Sequence, residues 1–82
     1  IEILERLTFQ LTDAKWKLID IEVLLSSFVQ QEGVKFHAVA QPLRLALIGQ
    51  ISSPNIASVM SILGKEETLN RISDVLRTRK NS

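Results

Sequence analysis

Residues 20–33, Asp-Ile-Glu-Val-Leu-Leu-Ser-Ser-Phe-Val-Gln-Gln-Glu-Gly, decide the fold class. Ile21, Leu24, Leu25, Phe28 and Val29 fall at i, i+3, i+4, i+7 and i+8, the spacing that lines one face of an α-helix. Asp20 stands where an N-cap belongs, and Gly33 supplies a residue able to end the helix in the left-handed region. No stretch of the chain alternates apolar and polar residues with period two for long enough to argue a strand.

Outward from this helix the same period recurs. Ile3, Leu4, Leu7 and Leu11 predict a helix over about residues 1–13. Residues 13–18 mix charge with Trp16 and read as a connection carrying an aromatic anchor. A third helix is expected within residues 37–48, with Val39, Leu43, Ala46 and Leu47 inward. Pro42 is tolerated if it lies in a first turn, where its missing donor has no partner to lose, so the regular part is placed from about Ala40 onward and ends at Gly49. Ser53 then reads as an N-cap and Pro54 as a first helical residue, with Ile56, Met60 and Leu63 as the buried stripe and Gly64 as the stop. A fifth helix runs from about Lys65 or Glu66 to Arg79, burying Leu69, Ile72, Val75 and Leu76. Its first-turn glutamates and last-turn arginines both suit the helix dipole. The expected fold is therefore all-α: a bundle of four to five short helices in one domain over residues 1–82. Its core is expected to hold Leu24, Phe28, Leu43, Leu47, Met60, Leu63, Leu69 and Ile72.

Composition narrows the function. With no cysteine, disulfides and thiolate metal sites are excluded, which fits a reducing, cytoplasmic setting. No apolar run reaches the roughly eighteen residues of a membrane span, and no signal-peptide pattern is present. The chain begins without methionine, inside an apolar pattern, and reads as a piece of something longer. The formal net charge is only +1, but residues 1–34 hold three basic against six acidic side chains and residues 35–82 seven against three. Such a polarity can present one face to a polyanion. Arg77, Arg79 and Lys80 equally serve as complements to a helix C-terminus.

No catalytic constellation is legible. The single histidine, His37, has no nucleophile elbow or metal-spaced partner, and it reads as a helix-entry or partly buried residue. Glu66 and Glu67 read as a helix first turn rather than an acid–base pair, and the three glycines are too scattered to cradle a phosphate. The chain is expected to catalyse nothing alone and to need no cofactor.

Gln41-Pro42-Leu43-Arg44, Ala46-Leu47, Gly49, Ser53-Pro54 and Leu63-Gly64-Lys65-Glu66 form an ordered string in which Arg44 and Ser53 stand nine positions apart with Gly49 between them. This string resembles the C-terminal anticodon-binding region of bacterial-type glutamyl-tRNA synthetases, most specifically over residues 37–69 and more loosely over residues 16–36. The resemblance implies an all-helical module that grips the anticodon arm of the glutamate tRNA. It also implies a whole enzyme, expected to be monomeric, whose ATP- and magnesium-dependent catalysis resides in a Rossmann-type domain absent from this chain. By the same resemblance Arg44, Ser53 and Pro54, with Gln41 and Ile56, correspond to positions that contact the second and third anticodon bases. Asn55 stands where the family usually has glycine and adds an amide to the candidate contacts. Ile48 stands where many members have threonine.

The residues suit that role on physical grounds. Unstacked bases are read by hydrogen bonds to their edges and by packing on their faces. Arg44 offers a planar donor fork for a base carbonyl or a phosphate, or else a salt bridge to a nearby carboxylate. Gln41, three residues earlier on nearly the same face, can meet a base edge or satisfy a helix terminus. Ser53-Pro54-Asn55-Ile56 opens a helix whose first N–H groups are free for acceptor atoms, and the proline and isoleucine add a flat apolar surface. Two other classes compete: a helical protein-interaction domain with an apolar groove, and a helix-turn-helix DNA binder. The string above argues against both, and the lack of a dense basic stripe on any helix argues further against DNA.

Overall fold

The computed structural model describes residues 2–50 and 55–80. Five helices follow one another: α1 (Glu2–Thr12), α2 (Leu18–Glu32), α3 (Phe36–Ile48), α4 (Ile56–Leu63) and α5 (Lys65–Lys80). The all-α expectation holds. α3 is central and packs against all four other helices, while α5 lies across α1, α3 and α4, and α2 pairs with α4. One core unites Leu4, Leu7 and Leu11 of α1, Ile21, Leu25 and Phe28 of α2, Val39, Leu43 and Leu47 of α3, Met60 of α4 and Ile72 of α5. Leu24, Leu63 and Leu69, expected fully inside, lie half-buried at its margin.

Three helix starts differ from the sequence expectation, each because tertiary packing outweighs a local signal. α2 begins at Leu18 after Lys17, which makes no side-chain cap, so Asp20 is not the N-cap. It lies in the first turn, where its charge still favours the positive end of the dipole. α3 begins at Phe36, four residues before the regular helix was expected, and Pro42 is therefore interior. An interior proline forfeits the bond to the carbonyl four residues back, here Ala38, at a cost of about 3 kcal/mol. Burial of Val39, Ala40, Leu43 and Leu47 against four neighbouring helices offsets it. α4 is capped by Asn55, whose Oδ1 accepts from the Ala57 N–H at 2.9 Å. The capping assigned to Ser53 and the first helical position assigned to Pro54 thus pass to Asn55 and Ile56. Ser53 and Pro54 themselves lie outside the described residues.

Between the helices, side chains set the joints. Gly33, at φ 68°, closes α2 with its N–H on the Gln30 carbonyl and Val34 N–H on that of Val29, a pairing open to a residue without a Cβ penalty. The α1–α2 connection is anchored as expected: Trp16 Nε1 donates to the Met60 carbonyl at 2.9 Å, and Lys65 Nζ donates to that of Ala14 at 3.0 Å. On the outer side, Arg6 grips Glu32 through Nε and Nη2, at 2.9 and 2.5 Å. That hydrogen-bonded fork holds the Glu32 carboxyl below its ordinary pKa. The pair's contribution is therefore present above the ordinary carboxylate range and is lost as pH falls through the lowered value.

Thr68 is a local cost in this core. Its side chain is 0% exposed, and Oγ1 has no hydrogen-bond partner. A buried hydroxyl left unpaired costs about 1–3 kcal/mol. Thr68→Val, which keeps the shape and removes the hydroxyl, is expected to raise stability by about 1 kcal/mol. The check is a urea melt in which the midpoint rises at unchanged slope. A lower midpoint would show that the hydroxyl is satisfied in solution.

Candidate nucleic-acid interface

α2, α3 and the start of α4 converge on a cleft of about 270 Å³. Its wall on α2 is Glu22, Leu25 and Ser26; α3 contributes Phe36 and Arg44; α4 contributes Asn55, Ile56 and Ala57. The packing of α4 along α2 produces the convergence, since Asn55 stands beside Glu22 while Met60, further along α4, meets Trp16 just before α2. Phe36 and Arg44, a little over two turns apart on α3, both border this cleft. A second depression of about 260 Å³, lined by Val23, Ser27 and Gln30, adjoins it through the shared Glu22 and Ser26.

Of the residues singled out in the sequence, Arg44, Asn55 and Ile56 meet in this cleft. Gln41 is exposed on α3 but does not line it. Ile56 is only 1% exposed, so it forms floor rather than an open apolar surface. Asn55 adopts φ −46° and ψ 121°, a backbone open to any residue, so no special conformational freedom is needed there. Its amide oxygen is committed to the cap, and its amide nitrogen faces Glu22 Oε2 at 3.5 Å. His37 is exposed in the first turn of α3. Much of the basic surplus of the second half is taken up internally: Arg77 by Asp74, Lys65 by Ala14, and Arg71 by Glu67 and the Leu47 carbonyl.

Sequence reasoning missed Glu22, Ser26 and Phe36. The first two belong to a helix read only for its buried stripe, and both sit on its polar side. Phe36 carried a signal, an aromatic residue at a helix entry outside any apolar period, and it is 44% exposed. Together the lining supplies the donors of Arg44, the acceptor oxygens of Glu22, the two-way hydroxyl of Ser26 and one aromatic face. That set suits a small planar group with donors and acceptors on its edge. Among the described residues no cluster of histidine, cysteine, aspartate or glutamate could hold a metal ion. No helix there is long and apolar enough to cross a membrane.

Fold and cleft define a helical domain that presents a polar-edged recess where three helices meet. The chain belongs to the anticodon binding domain family, whose model matches residues 1–76. It is similar to the glutamate–tRNA ligase of Rhodopseudomonas palustris (strain BisB5), 46% identical over 59 residues, covering 72% of this chain and 12% of the relative. The glutamate–tRNA ligase 1 of Bartonella henselae is 43% identical over 63 residues, covering 77% of this chain and 13% of the relative. That of Azorhizobium caulinodans is 45% identical over 65 residues, covering 79% and 14%. The matched region is thus a small part of the length of these relatives.

Proposed function

We propose that this chain binds the anticodon arm of the glutamate tRNA, as the tRNA-gripping part of a glutamate–tRNA ligase, and that the α2–α3–α4 cleft receives an unstacked anticodon base. The family match over residues 1–76 carries the reading. The cleft supports it physically. Arg44 offers a planar fork to a base carbonyl or ring nitrogen, Glu22 accepts from a base amino or imino group, and the half-exposed Phe36 ring offers a stacking face. At about 270 Å³ the cleft is smaller than the 300–1,000 Å³ or so of drug-sized pockets, as a site for one base should be. Ser53 and Pro54, two and one residues before Asn55, join the contact set on the strength of the resemblance, and so does Gln41. Aminoacyl transfer, with ATP and magnesium, belongs on this reading to a catalytic domain outside the chain, in a monomeric cytoplasmic enzyme.

Isolated from such a partner domain, the chain gains no avidity and binds weakly. Its affinity falls with added salt, because phosphate contacts release counterions. The test is a titration of isotope-labelled protein with the glutamate-tRNA anticodon stem-loop and with anticodon-swapped versions, following amide shifts. Shifts centred on Phe36, Arg44 and Asn55–Ala57 that depend on the anticodon are the expected result. Shifts elsewhere, or shifts indifferent to the anticodon, overturn the reading. One observation favours a second: Ile19 and Val23, one turn apart on α2, are 62% and 57% exposed, an apolar strip suited to a protein partner. RNA-independent self-association that Val23→Ser abolishes would support it.

A further inference from the structure

The end of α3 is held from outside its own sequence. The last carbonyls of a helix lack intrahelical partners. Here the Gly49 N–H takes the carbonyl of Leu45 at 3.1 Å, and no basic residue stands in the last turn of α3. The Leu47 carbonyl is reached by Arg71, on α5, whose Nη1 donates to it. The guanidinium is itself aimed, since its Nε donates to Glu67 Oε2 at 2.7 Å, one turn earlier on the same helix. The Arg71 stem is fixed at its base because Ile72, its neighbour, is 0% exposed in the core. A cation thus meets the negative end of the α3 dipole, with its planar fork bonded in two directions. A solvent-exposed i,i+4 pair adds little by itself, so the role of Glu67 is to orient.

What Arg71 holds is the frame of the proposed site. Leu47 lies three residues after Arg44, on the same helix, and Gly49 opens the stretch that leads through Ser53 and Pro54 to Asn55. A shift at the α3 exit changes the relation between the Arg44 fork and Asn55, which line the same cleft. Neither Arg71 nor Glu67 lines the cleft.

We infer that Arg71, oriented by Glu67, is a positioning residue for anticodon reading: it fixes the exit of α3 through the Leu47 carbonyl and makes no contact with RNA. This rests on the reading given under Proposed function. Two variants test it. Arg71→Met keeps the apolar stem and removes the fork, and Arg71→Lys keeps the charge with a different donor geometry. Three quantities are measured: hydrogen exchange of the Gly49 amide without RNA, the ratio of affinities for cognate and anticodon-swapped stem-loops, and the salt dependence of binding.

For Arg71→Met the expected result is faster Gly49 exchange and about a tenfold loss of discrimination, the scale typical of supporting residues behind a contact. The salt slope should stay unchanged, and Arg71→Lys should recover part of the discrimination. Unchanged Gly49 exchange in a folded variant overturns the strut. A wild-type protein that discriminates, with Arg71→Met discriminating equally, overturns the positioning role alone. A salt slope reduced by about one unit marks Arg71 as a phosphate contact and overturns it as well. A wild-type protein that does not discriminate overturns the anticodon reading and this role with it, and the exchange measurement then decides only whether the strut exists. If Arg71→Met fails to fold, Arg71→Lys carries the same three measurements.

Discussion

Phe28→Ala is expected to lower the unfolding free energy of the domain by about 3–5 kcal/mol, the range for a fully buried phenylalanine whose removal leaves a partly collapsed cavity. Phe28 is the largest fully buried side chain among the described residues, at 0% exposure, and joins the core to which all five helices contribute. A domain of 82 residues, at about 0.05–0.15 kcal/mol per residue, has roughly 4–12 kcal/mol in total. One substitution therefore removes a large share. At about 4–8 °C per kcal/mol for a domain of this size, Tm should fall by more than about 12 °C, with the denaturant slope unchanged. Val23→Ala on the same helix, at a 57% exposed position, should stay within about 0.5 kcal/mol. A Phe28→Ala loss under about 1 kcal/mol would mean that the helices close around some other centre.

Arg44→Ala has the largest effect expected on binding. If the fork makes a bidentate base contact, truncation weakens the cognate stem-loop by about 1–3 kcal/mol and narrows the gap to anticodon-swapped ones. Arg44→Lys should fall between, since a point charge keeps the attraction to RNA and loses the planar geometry. Arg77→Ala, which removes a guanidinium paired with Asp74 and absent from the cleft, should leave discrimination intact. A melt of each variant separates lost contact from lost fold. Equal weakening toward every anticodon would reduce Arg44 to a phosphate neighbour.

The fold was legible wherever the apolar period could act alone. Ile21, Leu25 and Phe28 announce the buried face of α2, and Gly33, Gly49 and Gly64 end α2, α3 and α4 as their positions in the pattern require. What could not be read was the balance between a local rule and burial many residues away. Pro42 argues locally for a late start of α3, and only a helix enclosed by four others can carry it in the interior. Asp20 and Ser53 look like caps because their side chains suit the task, yet helix starts depend on where packing lets the chain turn. The site divides in the same way. Arg44, Asn55 and Ile56 stand within one recognisable string, whereas Glu22 and Phe36 enter the cleft only through the way α2 lies along α4 and α3. No spacing within the sequence encodes that meeting.

The anchor between Trp16 and the Met60 carbonyl has a practical consequence. It makes the protein its own optical instrument. Trp16 is the only tryptophan in the chain, and its indole nitrogen is tied to the middle of α4, at Met60. Met60 stands five residues on from Asn55, roughly 7.5 Å along the helix at about 1.5 Å per residue. A tilt of α4 on binding of RNA would alter the bond to the indole, and the expected readout is a change in its emission, with no label attached. The same fluorophore rides on the joint between the first connection and the last two helices, so its emission should follow the melting of the bundle and, on the proposed function, the binding of RNA in its recess.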